Sequence, residues 1–434
     1  MRRLNGSLSR SVRGSIQDVF QQSPLDLRFA LQKTLDPRVT FTRASSGTFV
    51  GSDGVLQTAA TNEPRFDHNP TTGESLGLLV EEARTNSIRN NTGVGAVSGT
   101  PGTLPTNWTQ SNNTGLAANV VGTGTENGIT YIDLRVNGTT TGTGQTNIVL
   151  ETSIGVAATT GQTWSLSSYL KIQAGSLTNV SAINLVLQEN TAVGTAVTAG
   201  AQATTIPTSS LGTYRPTFTR TLSGGVTVAA VMPYIQININ TGLVVDFTLR
   251  IGLLQLEQGA FATSVIPTTT ATATRAADVA SITGTNFSSW YNQTEGTVFA
   301  EGAVAQPNSG GNQFVFRTSD NGYNNSVALN IQSGGFASIA TASGGVFDGV
   351  ATSSATLIAN TTAKFAGAYA TNNLGVSLNG ATVATDTSAT MPTALNRLDI
   401  GSDHIGSNRI KAGTIKRLTY WPTRLSTIQQ ITQP

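Results

Sequence analysis

The sequence predicts an all-β protein of two antiparallel β-sandwiches, the first a jelly roll, behind an N-terminal arm. Three observations predict it. Apolar and polar residues alternate in run after run: Ile132, Leu134 and Val136; Trp164, Leu166, Leu170 and Ile172, with Ser168 in phase; Ile183, Leu185 and Leu187; Ile235, Ile237 and Ile239; Phe247, Leu249 and Ile251. Each run buries one face and wets the other, as sandwich strands do. The spacers, such as Gly122-Thr123-Gly124 and Asn137-Gly138, carry turn chemistry, and no helix of convincing length competes. Finally, only 11% of residues are charged, while 38% are hydrophobic and 46 are glycine, which excludes acidic disorder. With 434 residues there is material for two or three cores.

In chain order, residues 1 to 22 form a basic arm, with Arg2, Arg3, Arg10 and Arg13 ahead of the first acid, Asp18. Ser15 to Asp18 reads as a capping box, and Ile16, Val19 and Phe20 share a helical face, so a short helix is expected. No aromatic stacking pattern accompanies the arginines. The arm is therefore read as a docking segment for a neighbouring protein rather than a nucleic-acid tail. Leu25, Leu27, Phe29 and Leu31 alternate and predict a strand. Residues 41 to 86 hold tight turns at Ser52-Asp53-Gly54, Asn69-Pro70 and Thr72-Gly73 between short apolar pieces, Phe49-Val50 and Leu76 to Val80. Residues 90 to 107 read as a loop. The first sandwich is placed in residues 91–267, a connector in 268–284 and a second sandwich in 285–434, expected to fold alone. In that last region Val327, Leu329 and Ile331 alternate. Asn379-Gly380 predicts a two-residue type I′ turn pairing Leu378 with Ala381 and Val376 with Val383.

Three segments together, LDPRVTFTRAS, NEPRFDH and GLLVEEARTN, resemble the leader block of phage tail and head fibre or spike proteins. The resemblance implies a virion-docking leader over residues 1–90. TWSLSSYLKI, the TYRPTFTRTL run and LLQLEQGAFATSVIPT resemble carbohydrate-binding-module sandwiches. Residues 285 to 432, with EGTVFAEG, SLNG, IGSD and a closing Leu-Ser tail, resemble the concanavalin-A/laminin-G-like lectin fold.

Several motifs bear on chemistry. Gly73-Glu74-Ser75-Leu76-Gly77 matches the GxSxG elbow, but a turn precedes it where a buried strand is needed, so it reads as turn then strand. The two histidines, His68 and His404, exclude a three-histidine zinc site within one chain, and His404 is expected to be solvated. Concanavalin-A-like folds also host glycosidases. Their Glu-x-Asp-x-x-Glu pattern is absent, and Glu295 and Glu301 are too isolated to replace it, so no enzyme is expected. There are no cysteines, hence no disulfide and no cysteine metal site. Aromatic platforms for sugar could come from Trp108, Trp290, Tyr291, Tyr323 or Trp421, whereas Trp164 is in phase with a core face. Tyr323 lies in a polar loop, so Asp320, Asn321, Tyr323, Asn324 and Asn325 form the expected ligand site. The same loop offers hard oxygen ligands for calcium, and an ordinary Asn-Gly loop explains the same residues; no cofactor is assigned.

The function expected is that of a virion fibre or spike that recognises host surface glycans. The alternatives are a capsid decoration protein without a ligand and, behind both, a polysaccharide depolymerase. The expected partners are other virion proteins through the arm, host glycan, and copies of the chain itself, as the homotrimer that the resemblance implies. No apolar run reaches the roughly 20 residues of a membrane helix, and the start lacks an apolar h-region. Assembly in the host cytoplasm and residence on the virion surface are expected.

Overall fold

In the computed structural model, residues 23–433 are described, apart from 113, 142–143 and 241. The expected docking arm, with Arg2, Arg3, Arg10, Arg13 and the short helix, lies outside the described residues. All named strand pairs are antiparallel, and the chain is all-β, as the alternation predicted.

The middle sandwich packs a five-stranded sheet against a six-stranded one. In the first, the long strand Val244–Gln258 sits between Ile129–Thr139 and Thr163–Ser176. In the second, Ala230–Ile239 sits between Val180–Asn190 and Gly144–Val149. The alternating positions are the core: Ile132, Leu134, Val136, Trp164, Leu166, Ile183, Leu185, Ile235, Phe247 and Leu249 share one buried cluster. Register places like with like, Leu134 opposite Leu249 and Leu185 opposite Ile235, so one face of each sheet is largely apolar.

The second sandwich corrects the expected domain plan. Its eight-stranded sheet contains Glu295–Ala303, Ala363–Ala370 and Gly413–Trp421, but also Leu25–Leu27, Phe66–His68 and Ser75–Val80 from the leader. Its seven-stranded sheet contains Gln313–Ser319, Ser326–Ile331 and Arg397–Ile400, joined by Thr40–Thr42 and by Val279–Thr283 from the expected connector. Leu25, Leu27, Phe29, Phe41, Phe66, Leu78 and Val80 are too few for a core of their own. They bury in the same cluster as Val298, Phe316, Leu398 and Tyr420. Residues 285–434 are thus an incomplete sandwich, and the middle one is inserted into it. Leu31, expected in the first strand, is 75% exposed, because the strand ends at Leu27 and a turn follows. Gly73 to Gly77 is a turn entering the strand Ser75–Val80, as read from the sequence. Gly77 adopts φ 88°, and a Cβ there would collide with the Ile415 backbone of the neighbouring strand.

The Asn379-Gly380 turn is present, with φ of 48° and 76°, and Ala381 N–H donates to Leu378 O at 2.9 Å. Its register differs from expectation: Val376 faces Ala384, not Val383. The Ser377 hydroxyl holds Ala381 O at 2.8 Å and pairs with Thr432, drawing residues 381 to 383 toward the C-terminal tail. The one-residue slip turns Val383 to the other face of the sheet, against Phe299, Trp421 and Ile428.

Where the sandwiches join, five charged side chains are buried together: Arg43, Arg65, Glu81, Arg275 and Asp278. Asp278 takes Arg43 at 3.1 Å and Arg65 at 2.5 Å, and Glu81 takes Arg65 at 2.8 Å and Arg275 at 3.3 Å. Glu81 also accepts from the N–H and hydroxyl of Ser264, which fastens the middle sandwich to the leader. Burial alone would raise the Glu81 carboxyl; the Arg275 and Arg65 guanidiniums and Ser264 outweigh it and hold it at about 2. The charged residues of the leader motifs therefore act inside the chain.

Asp67 lies beside this network, with Val50 N–H donating to its Oδ1 at 2.7 Å. Burial pushes its carboxyl up to about 6, and the Glu81 charge adds to this. An acid whose folded pKa lies above its unfolded value of 3.8 binds more protons when folded. Its contribution is intact below pH 3.8 and is lost as pH rises through about 6. Asp67→Asn keeps the acceptor for Val50 and removes the buried charge. It is expected to stabilise the protein by about 1–3 kcal/mol at pH 7 and by nothing at pH 3.5. Urea unfolding at the two pH values checks this; equal effects at both would contradict it.

Candidate ligand-binding rim

Two loops at one end of the second sandwich form the site. One joins Gln313–Ser319 to Ser326–Ile331, with Asn321 at φ 71°. The other follows Arg397–Ile400, whose strand pairs with Gln313–Ser319. Arg317 brings the loops together. Its Nη2 donates to Gly322 O at 2.5 Å, its Nη1 lies 3.3 Å from His404 Nδ1, and its guanidinium sits 5.1 Å from the Tyr323 ring centroid.

Tyr323 is 47% exposed yet held at several points. Its hydroxyl donates to Asp403 Oδ2 at 2.8 Å and lies 3.2 Å from Ser407 Oγ. His404 meets the ring in T-shaped packing at 4.7 Å. Asp403 is the hub. It also accepts from Ser407 N–H at 2.7 Å, Ser407 hydroxyl at 2.6 Å and Asn408 Nδ2 at 2.9 Å. Burial would raise its carboxyl, but these donors and Tyr323 overcome that and hold it well below the usual carboxylate range.

The expected site residues part ways here. Tyr323 and Asn324 are exposed, and the Asn324 amide bonds no side chain among the described residues. Asn321 Oδ1 accepts from Arg397 at 2.5 Å, Asn325 Nδ2 donates to Asp320 Oδ2 at 2.9 Å, and Asn325 Oδ1 accepts from Gly344 N–H at 3.0 Å. Asp320, Asn321 and Asn325 therefore brace the loop through these bonds. The same bonds bear on calcium. The oxygens of Asn321, Asn325 and Gly322 are engaged by N–H donors, two of them on arginines, which leaves Asp320 Oδ1 as the carboxylate oxygen without a partner. Of the aromatic candidates, Trp108, Trp290, Tyr291 and Trp421 are buried and are corrected to core residues; Trp164 is core as expected. His404, expected to be solvated, is half-buried against Tyr323 and Arg317. Sequence reasoning missed Arg317, Asp403 and Ser407. The available signal was the Asp403 to Asn408 spacing, which suits a carboxylate accepting backbone N–H groups a few residues on.

Tyr323→Ala removes one hydrogen bond to a charged group and one guanidinium contact, an expected loss of about 1–2 kcal/mol. Tyr323→Phe keeps the ring and leaves Asp403 its other donors, so it should lose less than about 1 kcal/mol. Calorimetry of both variants checks the order; a loss above about 4 kcal/mol for Tyr323→Ala would make the ring part of the core.

No protein-family model and no curated protein sequence matches the chain. Among solved structures it is similar to the CBM40 module of Ruminococcus gnavus IT-sialidase bound to α2,3-sialyllactose, at 15% identity over 34% of this chain and 88% of that one, with a TM-score of 0.30. It is similar to domains LG4-5 of the mouse laminin α1 chain, at 11% identity over 62% of this chain and 85% of that one, with a TM-score of 0.23. It is also similar to Trypanosoma rangeli sialidase in complex with the inhibitor DANA, at 11% identity over 74% of this chain and 62% of that one, with a TM-score of 0.27. At such scores the site is read from its own geometry.

Proposed function

We propose that this chain is an adhesive, non-enzymatic surface protein that binds glycan at the Tyr323 rim. The observation that carries the reading is the Tyr323 ring itself. It is the large aromatic that stays exposed among the five platform candidates, and its hydroxyl and edge are fixed before any ligand arrives. A sugar stacks on such a face through its C–H groups and loses little to ordering the protein. The Ser407 hydroxyl, 3.2 Å from the Tyr323 hydroxyl, and the exposed Asn324, next in the loop, are the hydrogen-bond partners on offer. One such site is weak, about 1 mM or 4 kcal/mol. Several copies in a homo-oligomer would raise avidity by about 10² or more.

The leader resemblance supports a place on a phage virion, as a tail or head fibre or spike used in adsorption, with partner virion proteins at the N-terminal end. Two measurements test the reading. Labelled protein should bind host cells and lose that binding once surface polysaccharide is stripped; binding that survives stripping contradicts the glycan. Immunogold on particles should mark fibres or spikes, and label spread evenly over the shell would favour capsid decoration instead.

A further inference from the structure

We propose that the cavity where leader, middle sandwich and second sandwich meet binds one neutral sugar residue or a polyol of similar size, at a site separate from the rim. The cavity measures about 300 Å³, the lower end of small-molecule sites, and is partly open to solvent. Its polar groups come from two segments that are far apart in sequence. Asp67, on a leader strand, offers a carboxyl that spends one oxygen on Val50 N–H. Tyr169, on the middle sandwich, presents a hydroxyl with no protein partner among the described residues. Arg215 lies 5.6 Å from that ring; its Nη atoms hold Thr263 O at 2.7 Å and Ser167 Oγ at 2.9 Å, while its buried Nε has no partner. The remaining walls are largely apolar, with Val50, Leu79 and Val304 among them.

Charge narrows the occupant. An anion would meet Asp67 and Glu81, and a cation would meet Arg215 and, behind the wall, Arg65. A neutral molecule that donates to Asp67 and exchanges either way with Tyr169 meets both, while its C–H surface faces the apolar wall. Vicinal hydroxyls on a carbon ring have this arrangement. Because the cavity is formed by both sandwiches, the occupant would also tie them together.

Saturation-transfer NMR on the full chain tests this with D-glucose, D-galactose, N-acetyl-D-glucosamine and glycerol, up to tenfold above an expected Kd of about 1 mM. At least one should give a saturable signal. Tyr169→Phe, which removes a single hydroxyl, should weaken it about tenfold. Ala305→Leu, which fills the cavity from its wall without removing a polar group, should abolish it. Tyr323→Ala should leave it unchanged. Absence of signal from all four probes would overturn the proposal, as would a signal that survives Ala305→Leu. A signal lost with Tyr323→Ala would assign the sugar to the rim and overturn it as well. Displacement by glycine at equal concentration would mark a zwitterion site, contrary to the neutral ligand.

Discussion

Residues 285–434 expressed alone are expected to be insoluble or unfolded. Cutting there removes five strands from the second sandwich: Leu25–Leu27, Thr40–Thr42, Phe66–His68, Ser75–Val80 and Val279–Thr283. Ten core residues leave with them, among them Leu25, Leu27, Phe29, Phe41, Phe66, Leu78, Val80 and Ile282. At roughly 1.5–3 kcal/mol for each of these eight, that is about 12–24 kcal/mol, against a typical total stability of about 5–15 kcal/mol. The cut also leaves one edge of Gly413–Trp421 and one edge of Arg397–Ile400 without a partner. A chain in which residues 23–86 run through a short turn into residues 273–433 should fold. Asn86 and Ala273 are already cross-strand partners, so the turn spans little distance. Solubility, a cooperative melt and dispersed amide NMR shifts distinguish the two. A cooperative melt from residues 285–434 alone would restore the independent lectin domain.

Asp278→Asn is expected to cost about 3–5 kcal/mol, or roughly 10 °C in the melting midpoint. The side chain keeps its shape but leaves Arg43, Arg65 and Arg275 facing Glu81 alone in a region closed to water. Removing one partner of a buried cluster leaves a charge that nothing solvates, a larger effect than that of any surface pair. The same network sets an acid limit. The Glu81 pKa is depressed from 4.5 to about 2, so its stabilisation is complete above about pH 4.5 and is lost as pH falls through about 2. The wild-type midpoint should therefore fall steeply between these values, and Glu81→Gln should flatten the fall. A loss under about 1 kcal/mol for Asp278→Asn would mean that water reaches the network.

Much of the middle sandwich was legible because its signal is local. Period-2 alternation at Ile132, Leu134 and Val136 reports a buried face whatever the strand pairs with. The Asn379-Gly380 turn was legible for the same reason. Its register was not, since the slip depends on Thr432, 55 residues from Ser377. The place of the leader was hidden because Asp26 meets Arg417 across 391 residues, and nothing near Leu25 announces that pairing. Arginines amid apolar segments were a clue that went unread: in a chain only 11% charged, Arg43 and Arg65 are buried partners rather than surface decoration. At the rim, Tyr323 was found because it is an aromatic in a polar loop. Its support was missed because Asp403 lies 80 residues away.

A glycan array with wild type, Tyr323→Phe and Tyr323→Ala, all shown folded by their melts, tests whether the fixed, exposed ring of Tyr323 binds glycan. Wild type and Tyr323→Phe should both give signal, and Tyr323→Ala should drop it tenfold or more. Equal signal for wild type and Tyr323→Ala, or no glycan bound by wild type at all, would contradict it.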